Sequence, residues 1–244
     1  MRPHAPFPSF LDRNRFVILF FTLLLFLLAV PIIHHLSQFL PPGIPALLEG
    51  LAFIVVLVEA VVSVSTSRAH RFIAMSLGLP AVLIGALPGI YNSILLELLR
   101  HLFAVAFLGY AIILVVLFIF TRQRVTGNTV CASLCIYLLL GLVWALAYSM
   151  IDLLDHGAFR STVTNGESSP ISRFARGTST SVLYFSFSTL TTLGYGDIVP
   201  ISPIARAFAS IEAITGQIYL TVLVARLVGL NIAESIGQET KSEG

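Results

Sequence analysis

Hydrophobic positions in this chain fall in long unbroken runs separated by short polar connectors. The runs cover residues 16–33, 46–64, 72–87, 95–120 and 130–151, and a sixth, 204–228, follows a much longer connector. A helix needs about 20 apolar residues to cross the hydrocarbon core of a bilayer. Each run therefore predicts a transmembrane helix. The third is the weakest, being short and interrupted by Gly78, Pro80 and Gly85. Pro31 in the first is tolerable, because neighbouring elements can satisfy the backbone groups it frees.

The connectors alternate in charge. Arg2, Arg13 and Arg15 precede the first run, Arg68 and Arg71 lie in "STSRAHR", Arg122 and Arg124 in "TRQRVTGN", and Lys241 in the tail. The first connector, "HHLSQFLPPGIP", and the third, "PGIYNS", carry no arginine or lysine. Positive residues mark cytoplasmic loops, so the alternation predicts six crossings with both termini in the cytoplasm. The first run is longer than a signal-peptide core and no small-residue cleavage site follows it, which predicts a retained helix.

Composition agrees. The chain is 57% hydrophobic and 11% charged, with a mean hydropathy of +0.93, whereas soluble domains are about a quarter charged. An all-α integral membrane protein is expected, covered by lipid. The net charge of +2 carries little information about partners, and no nucleic-acid partner is expected. Cys131 and Cys135 sit on an apolar helix pattern as small filler. They imply neither a disulfide framework nor a metal site.

The fifth connector, 152–203, breaks the pattern. Its first half, "DHGAFRSTVTNGESSPISRFARG", is polar. Its second half, 178–192, is apolar and aromatic again but too short to span. With both flanking helices meeting it outside, this half must dip into the membrane and return. It leads into "TLTTLGYGDIVP". Irregular backbone at membrane depth is tolerated only where protein buries it or it lines water. Glycines permit conformations other residues avoid, so Thr192-Leu193-Gly194-Tyr195-Gly196 can turn successive carbonyls toward one axis. Four copies around that axis stack rings of oxygens that replace the hydration shell of a potassium ion. Thr192 adds its hydroxyl as the innermost ring, and the side chains of Leu193 and Tyr195 pack behind.

Residues 178–229 resemble the pore module of potassium channels, whose pattern T-x-G-[YF]-G-D lies between a pore helix and an inner helix. Thr192, Gly194, Tyr195, Gly196 and Asp197 match it one for one, and Leu193 stands where valine or isoleucine is commoner. The resemblance implies a potassium-selective channel: no enzyme, no cofactor, K+ as permeant ligand bound at Thr192, Leu193, Gly194 and Tyr195, a homotetramer, and membrane lipids around it. Many relatives carry a tryptophan pair where this chain has Tyr184 and Phe185, so the Tyr184 hydroxyl is the candidate donor to Asp197. One bacterial type has a glutamate at the position of Ser188. Gly216 stands where many potassium channels have a hinge glycine. Close packing on the pore helix is the alternative reason for it. Gln217 is placed under the filter, and Leu220, Val224 and Val228 follow at helical spacing as a candidate gate. Glu212 is expected to face the pore helix and accept hydrogen bonds from its hydroxyls.

Six helices with the pore between the last two resemble voltage-gated channels, yet the fourth run has no arginine ladder: Arg100 lies near its outer end and no charge follows from Leu102 to Phe120. A scaffold or ligand-responsive module is expected. Glu49 and Arg100 sit at similar depth and are expected to pair; Glu59 has no obvious partner, and His34 and His35 lie at the outer lip. The expected division is a cytoplasmic N-terminus (1–15), a four-helix domain without voltage sensing (16–120), a linker (121–129), the pore domain (130–229) and a short cytoplasmic tail (230–244). The chain's small size points to a bacterial inner membrane. The alternatives are a weakly selective cation channel and a non-conducting scaffold or sensor that keeps a filter-like ion site.

Overall fold

The computed structural model describes residues 10–41, 44–64, 68–85, 93–121, 126–161 and 180–242. The described residues are helical almost throughout: α1 Phe10–Leu36, α2 Ile44–Val64, α3 Arg68–Gly85, α4 Ile94–Thr121 and α5 Gly127–Leu154, then the short α6 Thr180–Leu190 and the long α7 Pro203–Ser242. Two three-residue strands, β1 Phe159–Ser161 and β2 Ile198–Pro200, complete it. Among the described residues, four helices are long and apolar enough to cross a membrane: Asn14–Leu36, Ile94–Thr121, Gly127–Leu154 and Pro203–Gly229. The helix α3, with Arg68, His70 and Arg71 in its first turn and Pro80 inside, is less apolar.

The bundle is built around α5. Helices α1 and α4 of the chain pack on α5, α2 packs on α1, and α3 on α4; on another side α5 meets α6 and α7. Small residues let these apolar helices approach closely, which is how helices associate when lipid offers no hydrophobic drive. A Cβ on Gly141 of α5 would come within 2.5 Å of the Phe187 ring of α6.

Polar side chains fix which helix ends share a side. Helix α1 breaks at Asn14 (φ −116°, ψ 18°), and just beyond the break the Phe16 N–H donates to Asn128 Oδ1 of α5 at 3.2 Å. That bond satisfies one of the orphan donors at a helix start. The Arg15 guanidinium lies 4.9 Å from the centre of the Phe118 ring in α4. The Ser63 hydroxyl of α2 reaches the Arg15 carbonyl (3.1 Å) and Glu59 Oε1 (3.2 Å). Further along α7, Arg226 donates to the Ile119 carbonyl and stacks 4.4 Å over the Phe120 ring. Ile119 is in the last turn of α4, where carbonyls lack helical partners and a cation is favoured. The start of α1, the ends of α2 and α4, the start of α5 and the Arg226 turn of α7 therefore lie on one side, as the arginine-bearing connectors require.

Two features depart from the sequence expectations. The polar half of the long connector contains β1, paired antiparallel with β2 beyond the filter stretch in the register Phe159↔Pro200, Arg160↔Val199 and Ser161↔Ile198. The Ala158 carbonyl accepts the Ile201 N–H at 2.7 Å and extends this clamp. Residues 162–179 lie outside the described residues. The tail read as a short appendage continues α7 as helix to Ser242. Forty residues at about 1.5 Å each make roughly twice the thickness of a hydrocarbon core, so the end of α7 projects beyond it.

Candidate functional site

The site begins where α6 stops. Its last turn is extended by hydrogen bonds from Thr191 N–H to the Phe187 carbonyl (3.0 Å) and from Thr192 N–H to the Thr189 carbonyl (2.9 Å). The Ser188 carbonyl then takes two donors, the N–H groups of Leu193 (2.8 Å) and Gly194 (3.2 Å). This ties the first residues of the motif back to the helix end. Beyond, every second residue is left-handed: φ is +58° at Thr192, +53° at Gly194 and +75° at Gly196. Positive φ at a β-branched threonine is a costly conformation. Alternation of this kind turns successive carbonyls of an extended stretch to one side, whereas in a β-strand they alternate.

The flanks are tied as well. The Tyr184 hydroxyl donates to Asp197 Oδ1 at 3.0 Å, the same oxygen accepts the Ile198 N–H at 3.1 Å, and Ser188 hydrogen-bonds the Tyr184 side chain. The end of the left-handed stretch and α6 are thus joined through one tyrosine. Phe185 faces the other way. Its ring centre lies 5.0 Å from that of Tyr148 and 5.2 Å from that of Phe159, so it anchors α6 to α5 and to the strand pair. The side chains of Leu193 and Tyr195 are 54% and 71% exposed in the single chain.

Helix α7 supplies the inner half. Gln217 Nε2 lies 3.4 Å from Thr192 Oγ1, and the Thr192 hydroxyl donates to the Thr191 carbonyl at 2.7 Å. Gly216 packs under α6: a Cβ there would land on the Leu190 carbonyl oxygen, which already accepts from the Tyr137 hydroxyl at 3.1 Å. Close packing is therefore a sufficient reason for this glycine. Val224 and Val228 are exposed on α7, and Leu220 is half-buried. Glu212 is fully buried. Its Oε2 lies 2.5 Å from the Tyr148 hydroxyl and its Oε1 2.6 Å from the Ser186 hydroxyl.

In the first four helices one expectation is corrected. Arg100 pairs with Glu97 on its own helix at 3.1 Å, not with Glu49, because one helical turn brings the two side chains together without a partner helix. Glu49 instead lies within electrostatic reach of His34. Glu59 has a partner in Ser63. The histidine beside Arg100, His101, is buried and bonded to the Glu97 carbonyl at 2.7 Å. Among the described residues no cluster of side chains suits a bound metal ion.

Sequence reasoning missed Tyr137, Tyr148 and Ser186. The signal available was modest: tyrosine hydroxyls on a membrane helix need partners, yet nothing in the sequence says which.

Residues 134–232 match the family model described as "Ion channel". Over this segment the chain is similar to ion channels. A relative, the inward rectifier potassium channel Kirbac3.1 of Paramagnetospirillum magnetotacticum, is 39% identical over 46 residues, which cover 19% of this chain and 16% of that relative. The resemblance to the potassium-channel pore family drawn from the motif is borne out by both matches over the segments they cover. The matched span takes in α6, the left-handed stretch and the apolar part of α7. The four helices α1–α4 lie outside it.

Proposed function

We propose that the protein is a homotetrameric, potassium-selective channel that conducts passively through a filter formed by Thr192–Gly196 of four chains. The observation that carries this reading is the left-handed alternation at Thr192, Gly194 and Gly196, placed between a helix that stops inside the fold and one that spans. Carbonyl oxygens turned to one side in each chain make rings when four chains meet, and such rings replace the ion's hydration shell. The C-terminal end of α6 adds its partial negative charge beneath them, favouring a cation. The exposed Leu193 and Tyr195 support assembly, since an apolar and an aromatic side chain beside the pore axis are covered by neighbouring subunits. Six helices cross the bacterial inner membrane, both termini are cytoplasmic, and Val224 and Val228 line the inner path.

The test is flux in liposomes. Purified protein is expected to carry potassium and exclude sodium. Equal fluxes of both ions establish a weakly selective cation channel, and no flux of either establishes a scaffold or sensor.

The four-helix domain is not a voltage sensor in this reading. Moving one charge through the membrane field is worth about 2.3 kcal/mol per 100 mV, and α4 offers only Arg100, held by Glu97. The open probability is therefore expected to vary shallowly with potential. A steep conductance–voltage relation in planar bilayers would refute this assignment.

A further inference from the structure

Glu212 sits fully buried at the junction of α5, α6 and α7. Its Oε2 is 2.5 Å from the Tyr148 hydroxyl of α5, and its Oε1 is 2.6 Å from Ser186 Oγ of α6. The same Ser186 oxygen lies 2.8 Å from the Gly141 carbonyl of α5. Counting hydrogens discriminates between the two states of the carboxyl group. A serine hydroxyl has a single hydrogen, and an ionised Glu212 would compete for it with Gly141, leaving one close oxygen pair with no hydrogen between them. A protonated Glu212 removes the conflict: Oε1–H donates to Ser186, Ser186 donates to Gly141, and Tyr148 donates to Oε2.

The surroundings agree. Facing Glu212 are Tyr148 and, at longer range, Tyr137 from α5, and Ser186 from α6. The strand β2 carries no ionisable side chain, and Asp197 beside it is engaged with Tyr184. Asp152, one turn beyond Tyr148 on α5, is a second buried acid. Among the described residues no arginine, lysine or histidine bonds to Glu212. A buried anion without a cation is strongly unfavourable.

We propose that Glu212 carries a proton in the conducting channel, that this proton links the inner helix to the pore helix, and that its loss to solvent base at alkaline pH stops conduction. Glu212 is a positioning residue. Ser186 lies two positions before Ser188, whose carbonyl holds the N–H groups of Leu193 and Gly194, so a shift of α6 at Ser186 reaches the filter. The inference rests on the channel reading above for its conduction part only.

Two readouts separate the parts. Infrared spectroscopy of the reconstituted full-length protein at neutral pH is expected to show the C=O stretch of a protonated carboxyl group. That band should vanish in Glu212→Gln and persist in Asp152→Asn. Its absence from the wild type, or its persistence in Glu212→Gln, overturns the proposal whatever the flux. In liposomes, wild-type potassium flux is expected to fall about tenfold or more between neutral and alkaline pH. Glu212→Gln, which keeps one donor and one acceptor, should conduct at neutral pH with a flat profile. A Glu212→Gln channel that assembles yet is silent at every pH, or that keeps the wild-type profile, also overturns it. A wild type that shows the band but never conducts defeats the channel reading and leaves the protonated Glu212 standing.

Discussion

Gly194→Ala is expected to abolish selective potassium flux while leaving the proposed tetramer assembled. The reason lies in the backbone and not in space, since a Cβ at Gly194 meets nothing within 4 Å in the single chain. The residue's φ of +53° is left-handed, which costs an L-residue about 1–2 kcal/mol, and the cost recurs in every subunit. Its N–H is also tied to the Ser188 carbonyl, so the peptide cannot relax to a right-handed form without giving up the bond that fixes the filter to the pore helix. Relaxation turns a ring of carbonyls off the axis. The check is potassium and sodium flux in liposomes together with native-gel mobility. Wild-type selectivity in the alanine variant would remove Gly194 from the filter.

Gly216→Ala is expected to lower potassium flux about tenfold and to erode the preference for potassium over sodium. Overpacking of this kind costs about 1–3 kcal/mol. The added methyl group lands on the Leu190 carbonyl, and that oxygen is held by Tyr137. Either α7 moves outward or the end of α6 moves, and Thr192 follows only two residues after Leu190. A pure hinge role predicts a different result, with reduced opening and intact selectivity. Comparing the flux ratio of the two ions in the variant with that of the wild type separates the two. Gly229→Ala serves as control, because a Cβ there meets nothing within 4 Å. Wild-type flux and selectivity in Gly216→Ala would show that the contact with Leu190 does not constrain the pore.

Much of this protein was legible before any coordinates. Long apolar runs dictate membrane helices because a lipid core leaves a backbone few other options. The alternation of arginines predicts which helix ends share a side, and the start of α1, the end of α4 and the Arg226 turn of α7 lie together through Arg15 on Phe118 and Arg226 on Ile119. The motif at Thr192–Asp197 is local: its glycines encode left-handed backbone in themselves, so its chemistry can be read from consecutive letters. Glu212 lies against the hydroxyls of Tyr148 and Ser186, because a carboxyl on an apolar helix has to find polar partners.

What tertiary structure alone decided are the pairings between residues far apart in the chain. Arg100 was matched by sequence to Glu49 on depth, but a turn of its own helix offered Glu97 first. Tyr148 and Ser186 meet Glu212 only because α5, α6 and α7 converge there, and β1 exists only because β2 returns to it. Gly216 is a glycine for a reason written in another element, the Leu190 carbonyl of the pore helix. Periodicity and hydropathy report how a segment meets its solvent. They carry no term for which neighbour a buried side chain finds, and that neighbour is set by how helices cross.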